Sequence, residues 1–379
     1  MTISDNHQSA SLEAHNRYFA EFFAGIGLVH AGLEGAGWRC AYANDIDPKK
    51  HEMYQHRFGV ADYYHVADIW RTDEVLKKIT RPLKLATASF PCVDLSLAGK
   101  GRGLQGQSSG AFFGFLEVLR GLGQRGEIPE SILVENVMGF LSANQGRDFR
   151  AACASLAELG YWLDVIVVDA KHFTPQSRPR VFIIGFQERA LPSVAKRKAG
   201  RESKLRPKKV IESMEVLELA TGLFHLENLT LPDEQRTIAD ILRGYDGPWW
   251  DSERVNKHLH EMSEGHRERL NTYAKGRTLE YGTMYRRVRK GASRTEIRFD
   301  GLAGCLRTPR GGSSKQMVVV AGKGSIKMRW MTPQEYAALQ GAPDFPLKVR
   351  KTQALFGFGD AVCVPAIAWL AGNYFASVP

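Results

Sequence analysis

The stretch RYFAEFFAGIG, residues 17–27, decides the fold. Its first part is an apolar run of strand length, and its second, Phe23-Ala-Gly-Ile-Gly27, is a glycine loop that leads into a helical pattern. Glycines between a strand and a helix let the backbone approach a ligand closely, so this is a candidate cofactor loop. About 20 residues further on, Asp45 and Asp47 end the next apolar run, where a carboxylate can accept hydrogen bonds from ribose hydroxyls. The loop departs from the dinucleotide fingerprint, which disfavours a nicotinamide cofactor without excluding one.

Working outward, apolar runs at 17–23, 39–44, 83–89, 131–135, 163–169 and 180–186 read as buried strands, with helical patterns between them at 111–120 and 149–159. This alternation predicts an α/β fold with a mostly parallel sheet, helices on both faces and ligands beyond the carboxyl ends of the strands. After Phe186 the pattern breaks into Lys196-Arg-Lys198 and Arg206-Pro-Lys-Lys209, read as a linker to a second domain. The expected division is a polar, disordered arm over 1–16, a sheet domain over 17–188, a basic domain over 189–300, and a return segment over 301–379 whose last helix, from about Val364 to Tyr374, completes the sheet domain. The arm lacks the basic start and apolar core of a signal peptide, and the apolar run from Val362 to Leu370 is too short to span a bilayer.

With 379 residues, 44% hydrophobic and 37 glycines, the chain can bury a large core and has room for two domains. Its five cysteines, Cys40, Cys92, Cys153, Cys305 and Cys363, are scattered, with no close pair that would indicate zinc or a disulfide framework, and fit a reducing cytosol. The net charge of +10 is unevenly spread. Residues 189–329 hold 29 Lys and Arg against 17 Asp and Glu, a local +12 that leaves −2 for the rest. An excess confined to one segment, interleaved with Pro248-Trp-Trp250, Tyr281 and Tyr285, points to a polyanion and to nucleic acid above all.

Three further motifs follow the glycine loop: Ala88-Ser-Phe-Pro-Cys-Val-Asp-Leu-Ser96, Leu133-Val-Glu-Asn-Val137 and Gln176-Ser-Arg-Pro-Arg180. A lone cysteine is more often inert core than nucleophile, but Pro91-Cys92 ends an apolar run and offers a thiol at a turn beside the expected crevice. Glu135-Asn136 read alone could be a cap or turn, and Arg178 and Arg180, alternating along a strand start, ordinary ion-pair partners on one face. Each motif is short, but their order and spacing together resemble the cytosine-C5 DNA methyltransferases of bacterial restriction-modification type, from about Tyr18 to the C-terminus and most weakly between about Ala190 and Phe299.

The resemblance implies a Rossmann-like, S-adenosylmethionine-dependent methyltransferase fold with a smaller target-recognition domain, here the basic 189–300 segment. It implies that Phe23, Gly25, Ile26 and Gly27 flank the methionine part of the cofactor, Asp45 holds the ribose, Ile46 packs on adenine and Asp68 meets the adenine amine, with Ile69, Pro91, Asp360 and Val362 also at the cofactor. S-adenosylhomocysteine would be the product and no metal is expected. Two positions depart from the family pattern: Leu28 replaces a frequent third glycine, and Asp360 stands where many members carry Asn. By the same resemblance Cys92 attacks cytosine C6, Glu135 serves N3, Asn136 orients its loop, Arg180 contacts O2 and Arg178 supports it. Ser96 and Lys100, in a loop resembling the family's mobile one, and Arg286, Arg287 and Arg289 would contact DNA. A cytosine stacked in a duplex is out of reach, so base flipping is implied. Expected partners are double-stranded DNA and a cognate restriction endonuclease, for a monomer of the bacterial cytoplasm, at the nucleoid and without a membrane. Rivals are a tRNA cytosine methyltransferase of the same fold and a catalytically silent DNA-binding regulator. A nicotinamide oxidoreductase would leave the Cys, Glu and Arg motifs without a role.

Overall fold

The computed structural model describes residues 17–91, 110–233, 236–244, 247–289, 291–309, 314–376 and 378. Cys92, Ser96, Lys100, the polar arm and the loop after Cys92 therefore lie outside the described residues, as does the side chain of Arg289. Contacts divide the chain into two units.

The first unit comprises the described parts of Met1–Val168, Pro179–Thr230 and Pro365–Pro379. Its seven-stranded sheet uses β1 (Tyr18–Phe22), β2 (Arg39–Asp45), β3 (Tyr64–Val66), β4 (Leu85–Ala88), β5 (Ser131–Val137), β6 (Tyr161–Asp169) and β7 (Pro179–Gln187) in the order β3-β2-β1-β4-β5-β7-β6. The pairs β1 with β2, β2 with β3, β1 with β4 and β4 with β5 are parallel, and β7 is antiparallel to β5. Strand order reverses between β1 and β4, which opens a crevice at the carboxyl end of β1, where the glycine loop lies. The mostly parallel α/β fold is as the sequence predicts; β3, three residues long, carries too little pattern to be read.

Apolar residues on every face of β4 and β5 mark strands covered on both sides. The helix Ala111–Gln124 buries Phe112, Phe115, Leu116, Val118, Leu119 and Leu122, and Phe115 meets Phe22 of β1 at 5.2 Å between ring centroids. Each such side chain stabilises the fold by roughly 1.5–3 kcal/mol. On the helix Pro48–Phe58, Asp47 caps the N-terminus by accepting from Lys49 N at 2.9 Å, and proline occupies the first turn. That helix supports the glycine loop: a Cβ at Gly27, whose φ is +80°, would stand 2.5 Å from the Phe58 ring and 2.6 Å from Tyr54.

The expected boundary at 188 falls elsewhere. Residues after it stay with the first unit, because Val167 N donates to Leu205 O (2.7 Å), Leu163 N to Gly222 O (3.1 Å) and Phe224 N to Leu163 O (2.9 Å), giving β6 a further backbone partner. Arg206 is also drawn in by Asp164, which is wholly buried: Arg206 Nε donates to Asp164 Oδ1 at 3.1 Å and Nη2 pairs with Oδ2. Tyr374 Oη, from the helix Val364–Tyr374, donates to the same Oδ2 at 2.7 Å and ties that helix to β6.

The second unit is Asp169–Arg178 with the described part of Leu231–Val364. Four antiparallel strands, β8 (Glu280–Arg289), β9 (Ala292–Arg298), β10 (Met317–Gly322) and β11 (Ser325–Trp330), lie in the order β11-β10-β8-β9. The β10–β11 hairpin turns through Lys323 and Gly324 at φ of +52° and +76°, the positive pair that a tight hairpin requires. The helices Ser252–His260 and Glu264–Ala274, capped by Asp251 and Ser263, help enclose a core of Val255, Leu270, Met284, Met317, Val319 and Met328. Because β10 and β11 complete this sheet, residues 301–364 belong to the second unit and not to a segment returning to the first.

Beneath the glycine loop, His30 is buried against a Phe58 ring stacked at 4.0 Å, with Nδ1 2.5 Å from Tyr54 Oη. Burial, aided by the charge of Arg57, lowers its pKa to about 4. The unfolded chain therefore binds the extra proton between pH 6.5 and 4, and His30 removes stability as pH falls through that window, by up to about 3 kcal/mol. Burial raises the carboxyl of Glu21, which works in the opposite sense as pH rises above its ordinary range. The contribution of His30 is accordingly a difference: in urea unfolding from pH 7 to 4, His30→Gln should lose less stability than the native chain, and parallel pH profiles would refute it.

Candidate active site

Glu135 lies near the end of β5 and Arg180 at the start of β7. In the antiparallel register Val137 faces Arg180 and Glu135 faces Phe182, so Glu135 and Arg180 are diagonal neighbours on one face, within reach of long side chains. Arg180 Nε stands 2.9 Å from Glu135 Oε1, with the two side chains 13% and 10% exposed, and Arg180 Nη1 donates to Pro179 O at 2.9 Å. A charge-assisted contact this sheltered holds the carboxyl in one orientation.

Asn136 points into the protein. Its Nδ2 donates to Phe90 O at 3.3 Å and its Oδ1 accepts from Val137 N at 2.8 Å. Phe90 is two residues before Cys92 in sequence, so Asn136 ties the end of β5 to the segment that leads to the cysteine. The resemblance gives Asn136 the task of orienting the loop by backbone hydrogen bonds; its tie to Phe90 is one that no local pattern reveals.

The loop residues Phe23, Gly25, Ile26 and Gly27 gather at the carboxyl end of β1. Phe23 and Gly25 take φ of +59° and +56°, and a left-handed phenylalanine is a costly conformation that the surrounding contacts must enforce. Asp45, ending β2, does part of this: Oδ2 accepts from Gly25 N at 3.0 Å and Oδ1 from Asp47 N at 2.9 Å, with Lys50 Nζ 3.9 Å away. Ile46 next to it is 67% exposed, an apolar face open to a ligand. Asp68 comes close to this end of the sheet, since Ala67 N donates to Asp45 O at 3.1 Å, and its Oδ1 accepts from Trp70 N at 3.1 Å. Ile69 differs: it is buried in the core under Gly114. Pro91 is exposed; Asp360, ending the helix Lys351–Asp360, is exposed in the second unit, and Val362 there is buried.

Arg178 does not alternate with Arg180 along a strand, because β7 begins at Pro179. Buried in the second unit, it donates from Nη1 to Leu306 O (2.7 Å) and from Nη2 to Gly359 O (3.1 Å) and Ala361 O (2.5 Å), which makes it a clamp on three backbone carbonyls. Arg286 and Arg287 are also engaged. Arg286 Nε lies 2.9 Å from Glu261 Oε2, and Arg287 Nε donates to Glu296 Oε1 at 2.5 Å. Sequence reading gave no role to Gln176, which is wholly buried, donates to Leu339 O (2.8 Å) and accepts from Leu306 N (3.1 Å), nor to Tyr64, whose hydroxyl donates to Gly25 O at 3.1 Å. Gln176 was visible as part of its motif; Tyr64 had no signal, its partner being 39 residues away.

Comparison with known proteins bears on this geometry. A family model described as C-5 cytosine-specific DNA methylase matches residues 18–376. Among curated proteins, the chain is 25% identical over 366 residues to the Type II methyltransferase M.HpaII of Haemophilus parainfluenzae, covering 92% of this chain and 86% of that one. It is 27% identical over 365 residues to the Type II methyltransferase M.NlaX of Neisseria lactamica, covering 94% and 96%. Among solved structures, the Entamoeba histolytica methyltransferase EhMeth aligns with a TM-score of 0.62 at 14% identity (94% and 96% covered), and the S. pombe Dnmt2 methyltransferase with 0.58 at 18% (93% and 97%), a likeness of fold.

The contact under Gly27 gives a test of the loop. Gly27→Ala should weaken S-adenosylmethionine binding at least tenfold by calorimetry, because the new methyl would collide with Tyr54 and Phe58 and displace the loop. Gly37→Ala is the control: φ is +83° there too, but nothing lies within 4 Å, so only strain of about 1 kcal/mol and unchanged binding are expected. Equal effects of the two would show that backbone strain, and not the contact, governs the site.

Proposed function

The chain belongs to the C-5 cytosine-specific DNA methylase family, and from that premise we propose how its residues divide the work of a DNA (cytosine-5)-methyltransferase. The observation that carries the reading is the sheltered Glu135–Arg180 pair beside the segment that leads to Cys92. When bound, S-adenosylmethionine supplies an electrophilic methyl group. The site fits it: a glycine loop with positive φ, the Asp45 carboxylate at the end of β2 and the exposed face of Ile46 match a chain of methionine, ribose and adenine.

Cytosine C5 is a weak nucleophile. The thiolate of Cys92 bonds to C6, the C5–C6 electron pair moves toward N3 and makes C5 electron-rich, and C5 would then take the methyl group as its bond to the sulfonium sulfur breaks, with S-adenosylhomocysteine as the leaving group. Loss of the C5 proton to a base restores the double bond and expels the thiolate. Charge arriving at N3 needs a proton there, and Glu135, oriented by Arg180, is the group to hold it while reading the cytosine amino group. Arg180 donates to O2. Asn136 positions the Cys92 segment through Phe90, and Arg178 positions the second unit's backbone. The target base must be flipped from the duplex, at a cost of a few kcal/mol recovered by protein contacts. The Type II methyltransferase relatives support a modification role in a restriction-modification system, and we propose with it a cognate endonuclease and a monomer acting on double-stranded DNA in the bacterial cytoplasm and nucleoid.

Bisulfite sequencing of DNA from cells expressing the protein tests the activity and yields its target; absence of 5-methylcytosine, or methylation confined to tRNA, overturns the reading. Duplexes with 5-fluorocytosine at the target should trap a covalent complex with the native chain, since fluorine blocks the final elimination, and none with Cys92→Ser. Glu135→Gln keeps the size and the contact to Arg180 but cannot deliver a proton. It should slow single-turnover methylation by about 10²–10⁴-fold with cofactor affinity nearly unchanged. Full activity would make Glu135 structural, and parallel losses in binding and rate would indicate damage to the fold.

A further inference from the structure

Most arginines that the second unit's sheet presents are already neutralised: Arg286 by Glu261, Arg287 by Glu296, Arg298 by Asp300 and Arg329 by Glu335. Arg254, Lys315 and Lys351 are different. Among the described residues no carboxylate lies within ion-pair distance of any of them. Two of the three meet at one aromatic surface instead. The Arg254 guanidinium carbon is 4.2 Å from the Trp250 ring centroid and 5.4 Å from that of Trp330, and Lys315 Nζ is 5.3 Å from Trp330. The two indoles, both half-buried, meet edge to face at 5.2 Å, and His258 stacks on Trp250 at 4.9 Å. Lys351, exposed at the start of its helix, is close enough to Lys315 that, after burial, the charge of Lys315 is the next cause depressing its ammonium below the usual range.

Glu335 offsets this repulsion at Lys351 only in part, and the nearby acids are already engaged. Glu335 accepts from both Nη groups of Arg329, at 2.8 and 2.5 Å, and Asp251 accepts the Arg254 backbone N–H at 2.8 Å as a helix cap. Like charges gathered with only partial compensation raise the energy of the folded chain until an anion joins them. Indole faces meanwhile hold the cations in place, a pre-organisation suited to phosphate. We propose that Arg254 and Lys315, which meet at Trp330, form together with Lys351 a phosphate-gripping surface on the second unit for the backbone of the DNA substrate, an inference that rests on the reading of this chain as a DNA methylase. It moves the DNA contact away from Arg286 and Arg287, whose charges are held by glutamates.

The test is the salt dependence of duplex binding by the full chain. Changing all three residues to Gln should lower the slope of log affinity against log salt by between about two and three units and weaken binding roughly 100-fold near 0.1 M salt. The loss should be equal for target and unrelated duplexes, because phosphates carry no sequence, and S-adenosylmethionine affinity and melting temperature should hold. The charge-keeping variant Arg254→Lys, Lys315→Arg, Lys351→Arg should retain the native slope. An unchanged slope in the folded Gln variant overturns the proposal, as does a slope lost for structured RNA but kept for duplex DNA. A native chain that fails to methylate DNA would instead overturn the activity on which the proposal rests.

Discussion

The reversed direction of β7 is the constraint on which the candidate site depends. Glu135 comes at the end of β5 and Arg180 at the start of β7. Were β7 parallel to its neighbour, like the pairs from β3 to β5, its first residues would lie at the opposite edge of the sheet from Glu135. Antiparallel pairing brings a strand start beside a strand end, and the register then sets the two side chains on one face, close enough for a 2.9 Å contact. The same reversal lets the connection Asp169–Arg178 leave the sheet and join the second unit before the chain returns.

Buried polar groups organise the rest. Asp164 gathers Arg206 from the stretch after β7 and Tyr374 from the C-terminal helix, so three distant parts of the chain share one carboxylate. A charge that deep is tolerable only with such partners, and removing one would leave the others buried and unpaired. Arg178 and Gln176 do the same in the second unit with backbone carbonyls, where a loose loop would otherwise leave acceptors unsatisfied. Motif residues that read as chemistry thus also hold backbone in place, and Arg178 is the clearest instance.

The second unit illustrates what a charge count can and cannot say. An excess of +12 over 189–329 points to a polyanion, but the tally does not distinguish an arginine paired with a glutamate from one left facing solvent. Arg287 and Arg254 are equal in the count and opposite in situation. Aromatics interleaved with cations in the sequence become, in the folded unit, a surface where indoles and cations meet.

The amino-acid sequence alone determined the glycine loop after β1, the acid ending β2, the parallel core of the sheet and the order of the Cys92, Glu135 and Arg180 motifs, because each is a local pattern: a strand-length apolar run, a turn residue, a short spacing. Tertiary structure decided what depends on partners far apart in the chain. It turned β7 around, assigned 189–230 to the sheet through backbone bonds with β6, moved 301–364 into the second unit through β10 and β11, buried Ile69, and paired Arg286 and Arg287 with glutamates. Strand direction, ion pairing and burial are set by which segments meet when the core closes, and a side chain carries no mark of that partner in its own neighbourhood of sequence.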